Sequence, residues 1–242
     1  MKAPEDLQPG YVLHSRRYRE SSLIVDIFCR DYGIVPAVAR GVRGGKSNHK
    51  RALLQPFQPL QCRWRGKGEL VTLTDLDSAG TSPTLAKQSL YCGLYINELL
   101  MRLLHRHDPN ERVFQQYQNL LSLLQQANDI EILLREFEFI LLDELGYGLS
   151  LQYDIDGEAI QEHKNYYLTL DSQFHEVLQA DPLSQSHSIF PGRILLAIHS
   201  YNWHDREVLK YAKQLTRMAL TPLLGNKPLQ SRKLFRSQVD DC

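Results

Sequence analysis

Cysteine is scarce in this 242-residue chain. The four present, Cys29, Cys62, Cys92 and Cys242, are widely scattered and form no Cys-x-x-Cys pair. That spacing is poor material for a zinc site and argues for reduced, cytosolic thiols rather than a disulfide framework. Long apolar runs are missing too, since none approaches the ~18 residues that would suggest a membrane helix. The opening Met-Lys-Ala-Pro-Glu-Asp turns acidic at once and has no apolar stretch, so no secretory signal is expected. Net charge is absent, with 28 basic against 28 acidic residues.

The most informative absence is local. From Tyr32 to Gly68 there is no acid at all, while Arg40, Arg43, Lys46, Lys50, Arg51, Arg63, Arg65 and Lys67 are all basic. Residues 1–80 hold 13 Lys/Arg against 8 Asp/Glu, residues 81–165 hold 6 against 13, and the remainder holds 9 against 7. Segregation of this kind reflects partners more than fold. The plainer alternative is a solvated basic surface with no specific task.

Residues 9–79 read as β-structure. Tyr11 to Arg16, Ser22 to Cys29, Ile34 to Gly41, Pro59 to Trp64 and Glu69 to Leu76 are short runs rich in Val, Ile, Leu and Thr, with turn residues between them. In the fourth run Leu60, Cys62 and Trp64 share one face, and Gln61, Arg63 and Arg65 the other. Five short strands in about 70 residues predict a small closed barrel, of which the oligonucleotide-binding (OB) fold is the best-known five-stranded example. An SH3-like barrel fits the same pattern. The expected class is α+β, an N-terminal five-stranded OB-fold barrel over residues 1–80 followed by a helical domain over 81–242.

Within that second part, helix starts are read at Ser82-Pro83, at Asp108-Pro109-Asn110-Glu111 and at Asn128 with Glu131. The third opens a stripe of Ile130, Leu133, Leu134, Phe137, Leu141 and Leu145, ending at Gly146-Tyr147-Gly148. Residues 149–187 are weakly patterned, with a strand at Tyr166 to Leu170 and a turn at Asp156-Gly157. Helical spacing returns from Pro191 to Ser200 and from His204 to Thr221, and Pro222 and Gly225 end it.

Chemistry is hard to find. Gly45-Lys46-Ser47 looks like the end of a phosphate loop, but that motif needs glycine five residues earlier, where Arg40 stands. His105 and His107 on a helix would point about 200° apart and could not share a metal. Asp154 to Glu158 lacks calcium-loop spacing, and no serine sits in a Gly-x-Ser-x-Gly elbow. No catalytic residue, cofactor or metal is expected. The last long helix is different. Arg206, Lys210, Lys213 and Arg217 fall within an arc of about 60°, opposite Val208, Tyr211, Ala212, Leu215, Met218 and Ala219. Stacked like charges repel by a few tenths of a kcal/mol per pair, which an anionic partner would relieve.

Two basic regions therefore suit nucleic-acid phosphates or an acidic peptide. Tyr11, Tyr18, Tyr32, Phe57 and Trp64 lie near the first, and exposed rings among them could stack on bases. Trp64, on the face of Leu60 and Cys62, also fits a core position.

The stretches "VLHSRRYRESSLIVDIFCRDYGIVPAVARGVR", "LLQPFQPL", "LYINELLMRLL", "LGYGLSL" and "TRMALTPLLGNKPLQSRKLF" together resemble the bacterial recombination mediator family RecO, in the family's order and over nearly the whole chain. The resemblance implies an OB fold followed by a helical domain. It implies binding of single- and double-stranded DNA, annealing of complementary strands, and help in loading the RecA recombinase. The implied partners are RecR and the acidic, apolar-ended tail of single-stranded-DNA-binding protein, in the cytoplasm at the nucleoid. Many members carry a four-cysteine zinc module. Leu151 to Glu176 holds no cysteine, so this chain resembles the zinc-free branch. The expected DNA contacts are Arg16, Arg40, Arg43, Lys46, Lys50, Arg51, Arg63, Arg65 and Lys67. The expected contacts to the acidic tail are Arg135, Arg206, Lys210, Lys213 and Arg217, with Arg135 and Arg217 on the rim of an apolar pocket.

Overall fold

A computed structural model describes residues 4–43, 48–126, 129–169, 171–178 and 188–236. Five strands build the first part: β1 (Gln8–Tyr18), β2 (Ser22–Cys29), β3 (Gly33–Ala39), β4 (Pro59–Arg65) and β5 (Val71–Ser78). They close into a barrel in the order β1-β2-β3-β5-β4, with β1 also pairing β4. β3 and β5 run parallel, and every other neighbour pair is antiparallel. This is the five-stranded Greek-key closure of an OB fold, which decides against the SH3-like alternative. The short helix α1 (Asn48–Leu53) precedes β4, and Leu53 and Leu54 reach the barrel core.

Side-chain alternation fills the barrel. Val12, Val25, Ile27, Val35, Ala37, Leu60, Cys62 and Trp64 point inward, and the Trp64 indole is fully buried. β2 is buried along its whole length, because its outer face is also covered. Phe28 lies 5.3 Å, centroid to centroid, from Phe114, and Tyr11 lies 5.2 Å from Tyr117. Those two partners sit on α3 (Glu111–Leu124), which follows α2 (Gln88–Leu103). A bulge between Val12 and His14 takes Leu13 out of the ladder. Its carbonyl accepts from Asn97 Nδ2 at 3.0 Å, and the Tyr117 hydroxyl donates to Asn97 Oδ1 at 2.7 Å. A buried polar group without a partner costs ~1–3 kcal/mol, so this triad accounts for the one asparagine buried on α2.

Gly33 turns β2 into β3 at φ 62°. A Cβ there would meet the Asp108 carbonyl oxygen at 2.2 Å, so glycine is needed for conformation and for space. The short α7 (Ser231–Arg236) packs on α2. Glu98 accepts hydrogen bonds from the backbone N–H of Gln230 and Ser231, both at 2.8 Å.

The helices start elsewhere than their sequence signals suggest. Ser82-Pro83 caps nothing: 81–86 has no regular secondary structure, Leu85 packs beside Gly93, and α2 opens at Gln88 after Lys87 with φ 49°. α3 is capped by Asn110, whose side chain accepts from Val113 N at 2.9 Å, because the His107 N–H is drawn to Ile34 O at 3.1 Å. His105 and His107 lie past the end of α2 rather than on it. Asn128 lies outside the described residues. Pro222 sits inside the last turn of α6, and the helix runs on to Leu224.

The chain forms two compact units, Met1–Ile130 with Pro228–Cys242, and Glu131–Lys227. α2 and α3 thus cluster with the barrel. The second unit holds α4 (Ile130–Glu144), a three-stranded antiparallel sheet in the order β7-β6-β8, α5 (Gly192–His199) and α6 (Arg206–Leu224). The strands are β6 (Asn165–Leu168), β7 (Phe174–Glu176) and β8 (Ile189–Pro191). Leu151, Ile160, Tyr166, Phe174, Phe190 and Ile194 pack with Val208, Ala212 and Leu215 of α6. The cysteine-free stretch Leu151 to Glu176 contributes Leu151, Ile160, Tyr166, Leu168 and Phe174 to this apolar core.

Candidate nucleic-acid interface

Strand pairing gathers the barrel's cations at one rim. The β1–β2 hairpin tip, the end of β3 and the start of β5 meet there, because Leu23 faces Ala39 and Val38 faces Thr72. Arg65 pairs with Thr72, and Arg40 Nη2 lies 3.5 Å from the Thr72 hydroxyl. Arg16, Arg40, Arg65 and Lys67 are exposed at this rim. Arg17 and Arg19, which sequence reasoning passed over, are exposed there too. The signal for them was the hairpin itself, since a tight turn at 19–21 presents its flanks to solvent.

Other expected contacts are engaged or lie apart. Arg43 straps the hairpin: its backbone N–H donates to Ser21 O at 3.0 Å and its Nη1 to Arg19 O at 3.2 Å. Arg63 pairs with Asp75 at 2.9 Å, and its hydrogen bond holds the Asp75 carboxyl below the usual carboxylate range. Lys50 and Arg51 are exposed on α1. Lys46 lies outside the described residues. Of the rings, Tyr11, Phe57 and Trp64 are buried, and Tyr32 meets Trp64 edge-on at 5.2 Å. Tyr18 alone among these five stands at the rim, with the Arg19 guanidinium 5.1 Å from its ring centroid.

The second unit carries a different surface. A groove of about 420 Å³ runs along α6, lined by Lys210, Lys213, Gln214, Arg217, Met218 and Thr221 with Ser188. Met218, read from sequence as core, gives it an apolar floor. Lys210 and Arg217 are exposed; Arg206 is exposed one turn before Lys210 and does not line the groove. Lys213 is paired with Glu131 of α4 at 2.7 Å. Arg135 is not on this rim. It is 4% exposed, pairs with the buried Glu138 at 3.0 Å, and reaches the Thr216 hydroxyl at 3.4 Å. Cutting one partner out of a buried ion pair costs ~3–5 kcal/mol, so Arg135 acts in folding of the unit rather than at its surface.

The two surfaces differ in kind. One is a rim of exposed guanidinium groups beside an aromatic ring; the other is a short cationic groove over a thioether. No three His, Cys, Asp or Glu side chains converge as metal ligands among the described residues. Among the described residues no helix is long and apolar enough to cross a membrane.

Residues 1–81 match the family model described as recombination protein O N terminal, and residues 88–233 match recombination protein O C terminal. A protein of Pseudomonas aeruginosa (strain LESB58) named DNA repair protein RecO is 44% identical over 233 residues, covering 96% of each chain. Proteins of the same name from Actinobacillus succinogenes and Cellvibrio japonicus are each 41% identical, over 98% and 95% of this chain and 98% and 96% of their own. With both halves matched in order and nearly the full length covered, the chain belongs to the RecO family of DNA repair and recombination proteins.

Proposed function

We propose that this protein is a recombination mediator that binds single- and double-stranded DNA with little sequence preference and anneals complementary strands. With RecR it helps to load RecA on DNA coated by single-stranded-DNA-binding protein. It makes and breaks no covalent bond and acts in the cytoplasm at the nucleoid. The observation that carries the reading is the rim of exposed arginines at the barrel mouth. Annealing brings two polyanions together, and cations on a rigid rim neutralise phosphates without reading bases. Arg16, Arg40, Arg65 and Lys67 supply this charge, with Lys50 and Arg51 on α1. Arg43 serves by holding the hairpin.

The α6 groove takes the acidic tail of single-stranded-DNA-binding protein. Lys210, Lys213 and Arg217 meet its carboxylates and Met218 its apolar end. Five phosphate contacts give a salt slope near −4.5 on duplex DNA, so a fourfold rise in salt weakens binding by roughly 10²–10³. Binding titrations on duplex and single-stranded oligonucleotides at two salt concentrations test this. Affinity that ignores salt overturns the reading. A scaffold that binds only acidic protein tails is the alternative, and it predicts no DNA binding even at low salt.

A further inference from the structure

The outer face of the β1–β2–β3 sheet is sealed by aromatic rings at one end and bordered by exposed cations at the other. Phe28 and Tyr11 are sealed by Phe114 and Tyr117. At the hairpin end Ser22, Ile24 and Val38 are still buried, while Arg16, Arg19 and Arg40 around them are exposed. Pairing puts Tyr18 opposite Ser22, and Ile24 opposite both Arg16 and Val38. Alternation then sets Arg16, Tyr18, Ser22, Val38 and Arg40 on the same outer face. Four of them, Tyr18, Ser22, Val38 and Arg40, line with Arg19 a groove of about 570 Å³ whose single acid is Glu20. Tyr18 is half-buried, with the Arg19 guanidinium 5.1 Å from its ring centroid. The hairpin is fixed by Arg43.

We infer that this groove is a base-stacking subsite for single-stranded DNA, in which the Tyr18 ring receives one unpaired base while Arg19 and Arg40 hold its flanking phosphates. The inference rests on the DNA-binding reading above and adds a strand preference to it. An unpaired base has a free π-face, whereas in a duplex both faces are taken by neighbouring pairs. Aromatic and guanidinium planes are the two groups on which unpaired bases stack. Phosphate contacts at the rim serve both forms of DNA; the ring serves only one. Melted or unwound strands would thereby be held in an open, pairing-ready form until a complement arrives.

The test is a titration of the full-length protein with oligo(dT) and with a duplex of equal length at one salt concentration. Tyr18→Ala is expected to weaken oligo(dT) binding roughly 5- to 100-fold and duplex binding by less than about twofold. Tyr18→Phe keeps the ring and is expected to retain binding. Tyr18→Trp adds a reporter, because Trp64 and Trp203 are buried; its emission is expected to fall with oligo(dT) and not with duplex. Equal losses on both DNAs, no loss in Tyr18→Ala, or unquenched emission in Tyr18→Trp overturns the subsite alone. Failure of the unaltered protein to bind either DNA overturns the DNA-binding reading itself.

Discussion

At the scale of single residues, burial decides which polar groups act and which are structural. His107 has φ 61°, and its half-buried imidazole lies near Arg106 and Glu69. Burial lowers its pKa from the usual value near 6.5, and Arg106 adds to the effect. A histidine with a depressed folded pKa contributes stability above the unfolded value and loses it as pH falls through the folded one. The melting temperature is therefore expected to drop between pH 7 and pH 5, and to drop less in His107→Asn. Asparagine suits positive φ and does not titrate. Equal acid sensitivity of the two proteins, by calorimetry, would remove His107 from the account. Residue-level legibility was uneven. Trp64 could be placed inside because it alternates with Leu60 and Cys62. Arg135 could not, since a lone arginine on a helix looks the same in sequence whether it meets solvent or a buried Glu138.

At the scale of elements, periodicity was readable and boundaries were not. All five barrel strands follow from apolar runs between turns. The starts of α2 and α3 shifted because cap signals at Ser82 and Asp108 were outweighed by packing of Leu85 and by the His107–Ile34 hydrogen bond. The basic ridge of α6 was legible from its arc, but its floor was not, because Met218 belongs to the apolar side by spacing and lines the groove in space. Glu131 competes with any acidic ligand for Lys213. Releasing it in Glu131→Gln is expected to tighten binding of an acidic tail peptide by about two- to fivefold, the scale of one exposed ion pair. The double reversal Lys213→Glu with Arg217→Glu is expected to weaken that peptide at least about tenfold while duplex affinity changes less than about threefold. Isothermal titration of both ligands reads the division of labour, and parallel losses would refute it.

At the scale of the whole molecule, zero net charge hides two cationic surfaces carried by separate compact units. Long-range steering by net charge is therefore small, and affinity resides in local clusters. Under the proposed function, one chain would hold a polyanion at the barrel rim and a short acidic peptide on α6 with different salt sensitivity. The rim is proposed to bind through many screened phosphate contacts, and the groove to add an apolar anchor that salt does not weaken. That difference was beyond the sequence alone, because it depends on which cations are free and which, like Arg63 and Arg135, are already paired. The most direct measurement is the annealing rate of complementary oligonucleotides coated with single-stranded-DNA-binding protein, with its acidic tail intact or removed. The account predicts rapid annealing on the intact coat and loss of most of that rate without the tail. Equal rates on both coats would contradict it.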